Sequence, residues 1–98
     1  MEDLTGKQRH HLRGLGHSLK PLVHIGKDGI TDGFIGAVVQ ALADHELIKV
    51  KVSDAGDLDR HEAADEIAKR TESHVAQVLG NVILLYKAHP ENPVIELP

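Results

Sequence analysis

The chain has 98 residues, 41% of them hydrophobic, and a formal charge of −4 at pH 7. That length supports one domain, residues 1–98, with a core that takes roughly two-thirds of the unfolded surface out of water. Phe34 and Tyr86 are the only aromatics and there is no cysteine, which excludes aromatic stacking platforms for bases, disulfides and thiolate metal sites.

The first residues, MEDLTGKQRHH, have no apolar run behind them and do not form a signal peptide. No apolar stretch approaches the roughly 20 residues of a membrane-spanning helix. A soluble, cytoplasmic protein with no membrane partner is expected.

Thr5-Gly6-Lys7-Gln8 has the form of a capping box, a hydroxyl followed three residues later by Gln. A first helix should start there and weaken around Gly14 and Gly16. At about 100° per residue, Gln8, Leu12, Leu15 and Leu19 fall on one stripe, and its leucines are read as core. Arg9, Arg13 and His17 fall on the opposite, exposed side, with His10 at its edge. Pro21 suits the first residue of a strand, and Leu22–Ile25 continues it.

Gly26-Lys27-Asp28-Gly29 links this strand to a second helix, for which Thr31 is the N-cap and Asp32 a favourable first-turn acid. Phe34, Ile35, Val38, Val39 and Leu42 mark its buried face. In ELIKVKVS, Ile48, Val50 and Val52 alternate with Lys49 and Lys51, a strand with one buried and one wetter face. DAGD (54–57) reads as a turn. Asp59 with Glu62 caps a third helix that runs to about Ser73 and packs through Ala63, Ala64, Ile67 and Ala68. Gly80-Asn81 is a hairpin turn between strands Val75–Leu79 and Val82–Lys87. The latter is apolar on both faces, which places it in the interior of the sheet or under cover on both sides. Residues 89–98 form a proline-spaced tail, an irregular segment or a short edge strand.

The predicted fold is α/β, a compact α-β-α-β-α-β-β domain with a four-stranded mixed sheet. Each β-α-β step favours parallel strands in one sheet, and the final hairpin adds an antiparallel pair.

Charge is distributed unevenly. Residues 4–27 carry Lys7, Arg9, Arg13, Lys20 and Lys27, four of the eight histidines, and no acid. Residues 54–66 carry Asp54, Asp57, Asp59, Glu62, Asp65 and Glu66 against Arg60 alone. Partner choice follows such local fields rather than the net charge.

A Gly-x-x-Gly turn before a helix leaves backbone amides open to approach and puts the helix's positive end beside them, an arrangement that favours phosphate. By pattern alone the plain strand-to-helix turn is the better reading, since a lone Gly-x-x-Gly is common. It lacks the third glycine of a dinucleotide fingerprint and the Lys-Ser/Thr of a P-loop. Lys27 and the neighbouring basic helix favour the phosphate reading, whereas the Asp28 carboxylate opposes it. Lys49 and Lys51 extend the basic patch if their sheet face is open; otherwise they are a solvated strand face. His10, His11 and His17 lack the spacing of a zinc-protease helix, and no nucleophile motif is present. No metal, cofactor or enzymatic activity is expected.

The segments LTGKQRHHLRGLGHSLKPLVHIGKDGIT, ALADHELIKVKV and QVLGNVILLYK closely resemble the CRM domain, also called the CRS1–YhbY domain, in its stand-alone bacterial form. The resemblance covers about residues 4–88. It implies an α/β fold related to the C-terminal domain of translation initiation factor three, and RNA as the partner. It carries the RNA contact onto Gly26, Lys27, Asp28 and Gly29, with Lys7, Arg9, Arg13 and Lys20 beside them. It implies no enzymatic activity. Bacterial members are linked with precursors of the large ribosomal subunit, and plant members with intron splicing.

The resulting expectation is an RNA-binding protein that contacts ribosomal RNA, and ribosomal proteins with it, during large-subunit assembly. The alternatives are a protein-interaction module that docks through its acidic third helix, and a phosphometabolite site in the loop.

Overall fold

Thr5 and Gln8 form the capping box: the Gln8 amide donates to Thr5 Oγ1 at 3.1 Å and the Thr5 amide to Gln8 Oε1 at 3.0 Å. They open the first helix, α1 (Gly6–Gly16), in the computed structural model, which describes residues 3–52 and 59–98. β1 (Pro21–Ile25), α2 (Asp32–Asp44), β2 (Leu47–Val52), α3 (Arg60–Thr71), β3 (His74–Leu79) and β4 (Val82–Tyr86) follow. The element order is the expected one. DAGD, with Asp54 and Asp57, lies outside the described residues.

Each helix after the first starts where a side chain can satisfy a free amide. Thr31 Oγ1 accepts from the Phe34 amide at 3.1 Å. Asp59 Oδ1 accepts from the amides of His61 and Glu62 at 2.8 and 3.1 Å. α3 stops at Thr71, short of Ser73, because Glu72 turns left-handed at φ 54°. The Ser73 amide then reaches back to the Ala68 carbonyl at 2.9 Å.

The strand order is β1-β2-β4-β3. β1 and β2 are parallel, and β4 runs antiparallel to both of its neighbours. β2 and β3 are therefore parallel to one another in the same sheet, with β4 between them. β4 is central, as its two apolar faces require, and ends at Tyr86, one residue before the expected Lys87.

One face of the sheet presents Ile25, Ile48, Val50, Val52, Ile83 and Leu85 to Phe34, Val38 and Leu42 of α2 and to Ala63, Ala64, Ile67 and Ala68 of α3. The small side chains of α3 let it lie close. The other face carries a smaller cluster, in which Leu4 and Leu12 cover Leu47, Ala76, Leu84 and Tyr86. α1 contributes little more than Leu12 and Gly16 to this contact.

Two expectations for the core are corrected. Leu15 and Leu19 are 43% and 37% exposed, because α1 ends at Gly16 and its stripe meets the sheet through Leu12 and Gly16 alone. Val39 is 48% exposed, since α2 packs along Phe34, Val38 and Leu42, and Ile35 is only half-buried.

The tail forms no helix or strand, yet it is held. The buried Glu46 carboxylate accepts the amides of His89, Val94 and Ile95, each at 2.7 Å. Ile95 and Leu97 pack against the second cluster. No helix among the described residues is long and apolar enough to cross a membrane.

Candidate nucleic-acid interface

The parallel pairing of Ile25 with Val52 brings the ends of β1 and β2 level, and Gly26 follows at that edge. Gly26-Lys27-Asp28-Gly29 is a tight turn closed by the Gly29 amide on the Gly26 carbonyl at 3.1 Å. The Thr31 amide returns to the Gly29 carbonyl at 3.2 Å. These two amides are therefore engaged within the chain. The amides of Lys27 and Asp28 donate to no atom among the described residues, and the first turn of α2 adds unpaired N–H groups beside them.

The two glycines play different parts. Gly29 sits at φ +75°, a left-handed conformation that glycine adopts without strain. Gly26 has no such constraint, and a Cβ there would meet nothing within 4 Å. A side chain at 26 would meet none of the described residues and would stand in the way of whatever approaches from outside. Lys27 and Asp28 are both exposed, and the Asp28 carboxylate accepts no hydrogen bond from the described residues. The nearby acid in α2 is drawn elsewhere: Asp32 Oδ1 is paired with Arg70 Nη2 of α3 at 2.9 Å.

The basic residues of the first segment separate in space. Arg13 lines an open trough of about 580 Å³ with His10 and Gly14 of α1, His17 just after it, Lys49 of β2, and Gln77 and Leu79 of β3. Arg9 lies toward His74 of β3. Burial pushes the His74 imidazole below its ordinary pKa, Asp3 opposes that, and the Arg9 charge deepens it. Lys7 stands about 200° around the helix from Arg9, so the two do not share a face. Lys20 is exposed in the connection to β1.

The sheet register shows which strand residues share this surface. Lys49 pairs with Leu84, and Lys51 with Val82 and His24. Leu84 belongs to the cluster under α1, so both lysines emerge on that second face. Lys49 is half-buried beside the helix and Lys51 is exposed. Lys49, Lys51 and His24 thus connect the trough to the turn. The LIKVKV alternation announced a wetter face, but only the short reach of α1 leaves that face open.

Among the described residues the only ion pairs are those of Arg70, with Asp32 and with Glu66. The cations of the turn, the trough and the strand face pair with no carboxylate among the described residues. The acidic side differs. Asp59 is consumed as a cap, and Arg60 Nη1 holds the Gly80 carbonyl at 2.6 Å and Asn81 Oδ1 at 3.1 Å. No group of three or more metal-ligating side chains occurs among the described residues.

The CRS1 / YhbY (CRM) domain matches residues 4–87. A Bacillus subtilis protein named "Probable RNA-binding protein YqeI" is 42% identical over 95 residues, covering 97% of this chain and 99% of its own. A Haemophilus influenzae protein named "RNA-binding protein" is 37% identical over 98 residues, covering 100% of this chain and 98% of its own. The solution structure of the hypothetical protein SAV1595 from Staphylococcus aureus superposes with a TM-score of 0.84 at 41% identity, covering 97% of this chain and 99% of that one. With its mixed four-stranded sheet, its three helices and a match over nearly its whole length, the chain belongs to the CRS1–YhbY (CRM) domain family.

Proposed function

We propose that this chain is a cytoplasmic RNA-binding protein that contacts ribosomal RNA in precursors of the large subunit. A phosphate is received by the free amides of the Gly26–Gly29 turn and the N-terminus of α2. Lys27 and Lys20 supply the positive field nearest the turn, Arg13 adds to it from the trough, and Arg9 and Lys7 act at longer range. The observation that carries the reading is the bare turn: Gly26 needs no glycine for its own conformation, and a Cβ there would meet no atom of the described residues. The names of the two curated relatives support RNA as the partner.

Four phosphates neutralised on unpaired RNA would make log affinity fall with log salt at a slope of roughly −3. A flat salt response in binding titrations overturns the phosphate clamp. Gly29→Asp adds a charge at the turn in a backbone region that Asp tolerates better than most residues, so the variant should fold and bind RNA more weakly. The ribosomal target is tested by crosslinking on assembling ribosomes. Contacts from Lys20 and Lys27 to rRNA support it, whereas contacts to protein alone, through the exposed acids of α3, replace it with the docking reading.

A further inference from the structure

α1 covers one half of the sheet's second face and leaves the other half bare. We propose that the bare half is a track for an unpaired RNA segment. The segment leaves the Gly26–Gly29 turn, passes over His24 and Lys51, and enters the trough between α1 and Lys49. The proposal rests on the RNA reading above and extends it from one phosphate site to a path.

The path has suitable dimensions. Lys49 and Lys51 are two residues apart on one strand, about 7 Å, and the turn begins about 13 Å from Lys49 along the same direction. Beyond the turn, where Asp28 is the one acid, the charged side chains along the path are basic. His10, Arg13, His17 and Lys49 line the trough with no carboxylate among the lining residues.

The same face also carries apolar surface that the fold does not use. Leu79, in register with Val82 and so in line with Lys51, is 67% exposed, and Leu22, at the register irregularity of the neighbouring edge strand β1, is 55% exposed. Lysines flanked by bare leucines suit a strand whose phosphates meet charge while its bases meet hydrocarbon. The wall formed by α1 makes the site concave, which admits a single strand and obstructs a duplex. A partner β-strand would add at the backbone of an edge strand, not across this face.

The test measures binding of the full chain to oligouridylate, and to the same strand paired with oligoadenylate, over a salt series. Lys49→Gln/Lys51→Gln keeps much of the aliphatic stems and removes two charges. It should weaken single-strand binding about tenfold and reduce the salt slope by about 1.4. Leu79→Ser should weaken binding a few-fold and leave the slope unchanged. Each variant's melting curve establishes that it is folded.

If the folded double variant binds with unchanged affinity and slope while Gly29→Asp still weakens binding, the clamp stands and the track is overturned. Equal losses on single strand and duplex overturn the unpaired segment. Loss of an acidic ribosomal protein's contact with RNA binding intact assigns the face to protein and overturns the track. Absence of RNA binding by the unaltered chain removes both the track and the function proposed above.

Discussion

A Cβ on Gly16 would lie 2.8 Å from Leu84 Cδ1, so α1 rests on β4 at a distance that only glycine permits. Leu84 is buried among Leu12, Leu47, Ala76 and Tyr86 and has little room to yield. Gly16→Ala should therefore destabilise the fold by about 1–3 kcal/mol through overpacking, even though alanine is the better helix former. Denaturant unfolding measures the loss. A variant as stable as the parent would mean that Leu84 repacks freely.

Gly26→Ala separates binding from folding. The site has open space and no left-handed constraint, so stability should stay within about 0.5 kcal/mol of the parent. RNA affinity should fall, because the new methyl stands where the phosphate approaches. Thermal melting and binding titrations on the same sample check both halves.

Glu46 fastens the tail. Burial pushes its carboxyl pKa up, but hydrogen bonds from the His89, Ile95 and Val94 amides outweigh burial and hold it below the ordinary glutamate value. A lowered folded pKa means that the unfolded chain binds the proton more readily. The stabilisation is therefore present above the ordinary value and is lost as pH falls through the lowered one. Amide exchange at Val94 and Ile95 should accelerate over that acidic window. Glu46→Gln turns one acceptor oxygen into a donor, and should cost about 1–3 kcal/mol and free the tail at neutral pH.

His74 reports the position of Arg9. Its imidazole is depressed by burial first, with Asp3 opposing and Arg9 adding to the depression. The folded form therefore resists protonation, and stability declines as pH falls through the ordinary histidine value toward the lowered one. Arg9→Gln should move the His74 titration upward in an NMR pH series. An unmoved midpoint would place Arg9 away from β3.

Much of the architecture was legible because it rests on local chemistry. Thr5, Thr31 and Asp59 are caps wherever they stand before a helix, and the alternation of Ile48, Val50 and Val52 with lysines is a strand under any topology. The apolar run of β4 announced a central strand. Leu15, Leu19 and Val39 misled because periodicity says which residues share a side of a helix, not how far the partner surface extends. Helix α1 meets the sheet through Leu12 and Gly16, and what lies beyond that contact stays wet.

The candidate site divides along the same line. By itself the sequence determined the Gly26–Gly29 turn, the acid-free basic segment and the family resemblance, since each is carried by neighbouring residues. Tertiary structure alone decided that Arg13 lines the trough with Lys49 whereas Arg9 does not, its charge being felt instead at His74. It alone drew Asp32 to Arg70, and it alone placed Lys49, Lys51 and His24 between trough and turn. Those relationships depend on strand order, on register and on the small footprint of α1. Each is set by packing between residues far apart in the chain, and no local pattern encodes it.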